Sequence, residues 1–105
     1  MDENGGRVAF MITIEEIKKQ SREVFMMYPV RRVSVFGSFA KGQQTEESDI
    51  DMLIRDSDIG ILEISNMRQQ LSDLFHRKID LVEENNLSEA FKFLIKDDEV
   101  VIYEK

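Results

Sequence analysis

Segments in which apolar residues recur at helical spacing alternate along this chain with short segments rich in β-branched residues, and this alternation constrains the fold more than any other feature. Helices that alternate with strands are typical of a two-layer α/β (α+β) domain. We therefore predict a small mixed sheet with helices on one face. The predicted elements are a helix over 14–28, a strand over 31–36, a helical turn over 39–41, a strand over 50–54, a helix over 59–75, a strand over 78–82, a helix over 87–95 and a strand over 100–103.

Residues that cap or stop helices mark the ends of these segments. Thr13 and Glu16 fit a capping box, in which each side chain accepts a hydrogen bond from the backbone N–H of the other residue. Pro29 stops the same helix because proline cannot continue the backbone hydrogen-bond ladder. Asp58 and Asn86 are predicted to cap the two later helices. Each of the three longer helices therefore has a predicted start.

The length, charge and composition of the chain exclude several classes of protein. Its 105 residues suit a single domain, residues 1–105, with a loose tail at 1–9. The absence of Cys and the single His exclude a disulfide scaffold and a His-rich metal site. A net charge of −7 disfavours unaided binding to nucleic acid. No apolar run approaches the roughly 20 residues of a membrane span, so we expect a cytoplasmic protein that does not bind a membrane.

The first candidate site is the turn after the first strand, at Gly37 and Ser38. A glycine lets the backbone approach a ligand closely, and the start of a helical turn presents free N–H groups to an anion. This arrangement suits phosphate oxygens, although an ordinary capped turn would have the same sequence. Lys41, in the same turn, is a candidate for steadying a phosphate, with a solvated lysine as the alternative.

The second candidate site consists of Asp49 and Asp51 at the start of the second strand. Two residues separated by one position on a strand point to the same face, with Cα atoms about 6.6 Å apart. Their carboxylate oxygens are therefore able to converge on one hard cation such as Mg²⁺. The alternative is a pair of solvated acids at a strand edge.

The third candidate is Asp80, an acid inside an otherwise hydrophobic strand. If this strand lies beside the strand of Asp49 and Asp51, the three carboxylates share one open face of the sheet. Three such acids suit two divalent cations, the arrangement used for in-line phosphoryl or nucleotidyl transfer. Asp80 is then also a candidate general base. An edge-strand Asp satisfied by its surroundings is the alternative.

The ordered set of these three motifs resembles the minimal nucleotidyltransferases of the DNA polymerase beta superfamily. The set consists of Gly-Ser-Phe-Ala-Lys-Gly at 37–42, Ser-Asp-Ile-Asp-Met at 48–52 and Lys-Ile-Asp-Leu-Val at 78–82. The order, the spacing and the flanking helices agree from about residue 12 to residue 103. The resemblance implies a polymerase-beta-like nucleotidyltransferase fold.

The resemblance also implies a role for each candidate residue. Asp49 and Asp51 would bind two Mg²⁺ ions, Asp80 would complete the metal site and activate the acceptor, and Gly37 and Ser38 would hold the triphosphate of ATP. One departure concerns Lys41, which stands where many relatives carry Arg. Lysine offers a phosphate a single point charge in place of the two-pronged contact of arginine.

Proteins with this resemblance are commonly the antitoxin of a HEPN/MNT toxin–antitoxin pair, and they transfer AMP from ATP to a tyrosine of the HEPN ribonuclease partner. The resemblance therefore implies an Mg²⁺-dependent protein adenylyltransferase with a HEPN toxin as partner, in a homo-oligomer or a hetero-oligomer. Two alternatives stay open. One is an antitoxin that neutralises its partner by binding alone, and the other is a small-molecule adenylyltransferase.

Overall fold

The computed structural model describes residues 12–45, 47–55 and 57–105, which form helices and a four-stranded sheet in the predicted order. The elements are α1 (Ile14–Met26), β1 (Arg32–Phe36), α2 (Ser38–Lys41), β2 (Ile50–Arg55), α3 (Ile61–Phe75), β3 (Ile79–Glu83), a 3₁₀ turn (Glu84–Asn86), α4 (Glu89–Ile95) and β4 (Val100–Glu104). The predicted tail at 1–9 lies outside the described residues. No helix in the described ranges has the length and apolar character needed to cross a membrane.

The sheet is mixed, and its strand order is β3-β2-β1-β4. Strand β1 is antiparallel to both β2 and β4, whereas β2 and β3 are parallel. A parallel pair needs a crossover connection, which α3 provides between β2 and β3. The N-terminal ends of β2 and β3 therefore lie side by side.

Helices α1 and α3 pack on one face of the sheet and enclose the main core. Apolar side chains of the strands point to this face at every second position, as the period of a β-strand requires. The buried strand residues of this core include Val33, Val35, Ile50, Met52 and Ile54. The two helices complete the core with fully buried side chains, namely Ile17, Phe25, Met67 and Leu71.

The opposite face, which we call the open face, carries a much smaller apolar cluster. Its buried members are Phe36, Leu53 and Ile95. The ring of Phe91 packs edge-on against Phe36, with ring centroids 6.0 Å apart. The predicted mixed sheet and helical layer are confirmed for α1 and α3, and the structure adds that the short helix α4 lies on part of the open face.

The predicted cap of α1 is confirmed, whereas those of the two later helices are wrong. Thr13 and Glu16 form the capping box, with both hydrogen bonds at 3.2 Å. The N-cap of α3 is Gly60, whose N–H donates to the Glu63 side chain at 3.0 Å, so Asp58 does not cap this helix. Helix α4 is capped by Ser88 in place of Asn86, which belongs to the preceding 3₁₀ turn.

Candidate active site

Two of the three predicted acids, Asp51 and Asp80, occupy paired positions on the parallel strands β2 and β3. Residues paired across neighbouring strands point to the same face, which here is the open face because the flanking Ile50 and Met52 belong to the main core. Asp49 immediately precedes β2 and lies two residues before Asp51. The expectation that the strands of these acids are neighbours is therefore confirmed.

Asp51 lies at the centre of this group and experiences its electrostatic repulsion. Burial raises the pKa of the Asp51 carboxyl above its ordinary value, and the negative charges of Asp80 and Asp49 raise it further. The positive charge of Lys78 lowers this pKa but does not compensate for the other effects. Asp51 is half-buried, whereas Asp49 and Asp80 are exposed. The folded chain thus holds at this position a negative charge that a bound cation would stabilise.

The carboxylates supply the oxygen donors that Mg²⁺ prefers. Lys78 Nζ lies 4.0 Å from Asp49 Oδ2, and both side chains are largely exposed, so a cation is able to compete for this carboxylate. As the side chains are placed, the described residues contain no group of three or more Asp, Glu or His side chains that could hold a metal ion. Metal binding by Asp49, Asp51 and Asp80 therefore remains a prediction.

The turn of Gly37 packs directly against Asp51. Gly37 has φ 76° and ψ −146°, a backbone conformation that favours glycine. A Cβ atom at this position would lie 2.5 Å from Asp51 Oδ2, well inside the normal contact distance. Gly37 thus allows the turn and the carboxylate to approach each other. The sequence predicts that Gly37 lets the backbone approach a ligand, which stays a prediction, and the structure adds the approach of Gly37 to Asp51.

The short helix α2 follows Gly37 and carries the other two candidate phosphate ligands. Ser38 is its first residue, so the N–H groups of its first turn lack acceptors within the helix. Lys41 Nζ lies 3.7 Å from Asp98 Oδ2, and both side chains are partly exposed. Lys41 would have to exchange Asp98 for a phosphate oxygen. Phosphate contacts by Gly37, Ser38 and Lys41 remain predictions.

Two basic residues beside the acids received no role from the sequence. Lys78 neighbours Asp49, as described above. Arg77 Nη1 donates to the carbonyl oxygens of Thr45 at 3.1 Å and Ser48 at 2.9 Å. The sequence shows that these two basic residues immediately precede the strand of Asp80. It does not show what they contact, because their contacts depend on the pairing of β2 with β3.

A second group of charges lies at the opposite end of β2 on the open face. Arg55 Nε donates to Glu84 at 2.9 Å, and both terminal nitrogens of Arg55 contact the Glu99 carboxylate. Burial is the largest single effect on Glu99 and would raise its pKa, but hydrogen bonding, above all from Arg55, together with the positive charges of Arg55 and Arg32 lowers that pKa. Both carboxylates of this group thus contact a cation directly, whereas the pKa of Asp51 is raised by its acidic neighbours.

The mixed sheet, the glycine turn after β1 and the acids on β2 and β3 together define a nucleotidyltransferase of the polymerase beta type. The chain belongs to the polymerase beta nucleotidyltransferase family, whose family model matches residues 14–105. The predicted family resemblance, fold and enzyme class are therefore confirmed.

Relatives of similar length are named for one specific activity, protein adenylylation. A candidate protein adenylyltransferase from Methanocaldococcus jannaschii is 37% identical over 98 residues, covering 88% of this chain and 100% of that protein. The protein adenylyltransferase MntA of Thermococcus cleftensis is 35% identical over 85 residues, covering 73% of this chain and 83% of MntA. This chain is therefore similar over most of its length to proteins named for AMP transfer to protein.

Solved structures share the fold at lower sequence identity. A chain of a toxin–antitoxin complex with AMP-PNP has a TM-score of 0.72 at 18% identity, over 84% of this chain and 73% of that chain. A chain of a complex between a tri-AMPylated Shewanella oneidensis HEPN toxin and an MNT antitoxin has a TM-score of 0.67 at 14% identity, over 89% of this chain and 74% of that chain. These matches establish the same fold.

Proposed function

We propose that this nucleotidyltransferase is an antitoxin that transfers AMP from ATP to a tyrosine hydroxyl of a HEPN toxin in the cytoplasm. The relatives named protein adenylyltransferase support the reaction. The similarity to a chain from the complex of an AMPylated HEPN toxin with an MNT antitoxin supports the partner. The pairing of Asp51 with Asp80 beside Gly37 is the observation of this structure that carries the proposal.

The acids have two roles in the proposed reaction, metal binding and proton transfer. Asp49 and Asp51, with Asp80, would hold Mg²⁺, which supplies charge neutralisation at the phosphates and lowers the pKa of the attacking hydroxyl. Asp80 is exposed, so it is accessible to the hydroxyl of an incoming protein and accepts its proton. The acceptor oxygen forms a bond to the α-phosphorus, and the bond from that phosphorus to the bridging oxygen of the β-phosphate breaks. Pyrophosphate is the leaving group.

The turn at Gly37 orients the triphosphate relative to these acids. The N–H groups at the start of α2 are directed to anionic oxygens, because the first turn of a helix leaves them without acceptors. Ser38 adds a hydroxyl, and Lys41 adds a positive charge once it leaves Asp98. Since Gly37 contacts Asp51, the phosphates would bind next to the carboxylates. This proximity favours reaction at the phosphate nearest to the metal site.

The direct test measures transfer of AMP to the partner. The chain, its HEPN partner, Mg²⁺ and ATP labelled on the α-phosphate are incubated together, and the partner is analysed by autoradiography and intact mass. We expect label on a partner tyrosine with wild type and with Asp73→Asn, an exposed acid on α3 that serves as the matched control. We expect none with Asp51→Asn. Equal labelling by Asp51→Asn would reject the proposal.

A growth assay distinguishes catalysis from neutralisation by binding alone. Cells that express the HEPN toxin are supplied with wild type, Asp80→Ala or Asp73→Asn, and their growth is followed. Catalytic neutralisation predicts that Asp80→Ala fails to protect while Asp73→Asn protects. Protection by Asp80→Ala equal to that by wild type would favour the binding-only antitoxin.

A further inference from the structure

Arg77 connects three segments that build the candidate site. Its Nη1 atom bridges the carbonyl oxygens of Thr45 and Ser48, and its guanidinium carbon lies 5.4 Å from the ring centroid of Phe39. Phe39 belongs to α2, Ser48 directly precedes Asp49, and Arg77 itself stands three residues before Asp80. We propose that Arg77 is a positioning residue that fixes Asp49 for metal binding, an inference that deepens the proposed function and rests on it.

The loop before Asp49 also contains hydrogen bonds between its own residues. Ser48 N–H donates to the Thr45 carbonyl at 3.2 Å, and Thr45 N–H donates to Ser48 Oγ at 2.8 Å. Both bonds lie within the loop, so they shape it locally but do not attach it to the sheet. The two hydrogen bonds from Arg77 attach it to the segment that leads into β3.

The contact with Phe39 links Arg77 to a second segment in addition to the loop. Phe39 is almost fully buried, with 2% of its surface exposed, so its ring is a fixed platform. A planar guanidinium is able to stack on an aromatic ring while its edge donates hydrogen bonds, which an ammonium group cannot reproduce. Arg77 therefore places the Asp49 loop relative to α2, which follows the phosphate turn.

The test compares Arg77→Gln and Arg77→Lys with wild type and with Arg32→Gln. Arg32 is a suitable control because it is also a partly exposed arginine held by its guanidinium group, which is bonded to Glu104 at 2.7 Å. It stands at the start of β1, five residues from Gly37, about 16 Å along an extended strand. Amide hydrogen exchange at 43–49 and Mn²⁺ binding, followed by electron paramagnetic resonance, are measured on the full chain.

We expect Arg77→Gln to accelerate exchange at 43–49 at least about tenfold and to weaken Mn²⁺ binding by about 10- to 100-fold, the range for lost outer-shell partners. Arg77→Lys should give an intermediate effect, and Arg32→Gln should change neither quantity. Exchange in α1 should stay at its wild-type rate in all variants. If Arg77→Gln does not fold, exchange at 43–49 and Mn²⁺ binding are compared between Arg77→Lys and wild type, and this comparison tests the proposal.

Unchanged exchange at 43–49 or unchanged Mn²⁺ binding in the folded Arg77 variants would overturn the positioning role, as would wild-type protein that does not bind Mn²⁺. The proposed AMP transfer is judged separately by labelling of the partner. Wild-type protein that transfers no label, together with the expected changes in exchange and Mn²⁺ binding, would reject the transfer reaction and retain the role of Arg77.

Discussion

The two ends of strand β2 carry charged groups on the same open face of the sheet, and these groups differ in how their charges are balanced. At one end, which we call the acid end, Lys78 lies 4.0 Å from Asp49, and the charges of Asp80 and Asp49 raise the pKa of Asp51. At the other, the paired end, Arg55 contacts Glu84 and Glu99. The apolar side chain of Leu53 lies between them on β2.

The comparison shows that residue type does not distinguish a structural charge from a functional one. Asp51 and Glu99 are both partly buried acids, but the surroundings raise the pKa of Asp51 and lower that of Glu99. A carboxylate stabilised by a neighbouring arginine adds stability to the fold. A carboxylate beside other carboxylates reduces stability until a cation binds, and such perturbed acids are typical of functional sites.

The largest expected effect tests whether the acid end serves catalysis. Asp51→Asn removes the central carboxylate, and we expect AMP transfer to the partner to fall by at least about 100-fold. The free energy of unfolding should not decrease, because the substitution removes repulsion from Asp80 and Asp49. Initial rates of label transfer and urea unfolding measure the two quantities. A loss of stability without a loss of transfer would contradict the comparison.

The second prediction tests the contact between the phosphate turn and the acid end. Gly37→Ala places a methyl group against Asp51 Oδ2 and strains the backbone, so we expect a loss of about 1–3 kcal/mol in stability together with reduced transfer. Gly42→Ala is the matched control, because Gly42 also has a positive φ of 72° but has open space around it. We expect it to cost about 1–2 kcal/mol and to leave the transfer rate near that of wild type. Equal effects of both variants on transfer would show that the contact is irrelevant.

The third prediction concerns the paired end, where stability and not activity should change. Arg55→Met leaves Glu99 largely buried without its partner, and we expect a loss of about 1–3 kcal/mol in stability. Arg32→Met, which removes a more exposed pair with Glu104, should cost less than about 1 kcal/mol. Urea unfolding gives both values. Folded Arg55→Met should transfer AMP at the wild-type rate, and a large drop would assign the paired end a role in the reaction.

The smallest expected effect is a pH dependence of opposite sign at the two ends. Because the pKa of Asp51 is raised in the folded chain, its contribution to stability falls as pH rises from its ordinary pKa of 3.8 through the folded-state pKa. Because the pKa of Glu99 is lowered, its contribution is present above its ordinary pKa of 4.5 and is lost as pH falls through the folded-state pKa.

Urea unfolding from pH 7 to pH 3 separates these two contributions. At pH 7, Asp51→Asn should be more stable than wild type and Glu99→Gln less stable. The difference in stability between each variant and wild type should shrink as the pH falls, for Asp51→Asn towards 3.8 and for Glu99→Gln below 4.5. Differences that keep the same sign for both variants, or that do not change with pH, would contradict the electrostatic contrast between the two ends.

The sequence predicted the parts of the fold that depend on local spacing. The β-branched segments, the capping box at Thr13 and the alternation of Asp51 with Ile50 and Met52 are visible within a few neighbouring positions. The cap of α3 was missed because Gly60 has no side chain to recognise, and the interaction is made by Glu63 three residues later.

The sequence by itself determined which acids and which glycine belong to the candidate site, since strand periodicity places Asp49 and Asp51 on one face and the glycine turn follows from the end of β1. Only the tertiary structure decided that Asp80 is paired with Asp51, that Gly37 touches Asp51 and that Arg77 holds the loop before Asp49. The physical reason is that side-chain periodicity acts over a few residues, whereas strand pairing joins positions about 30 residues apart. The ion pairs of Arg55 with Glu84 and Glu99 could not be predicted for the same reason. Their partners are distant in the sequence, and opposite charges compensate each other only where the fold brings them into contact.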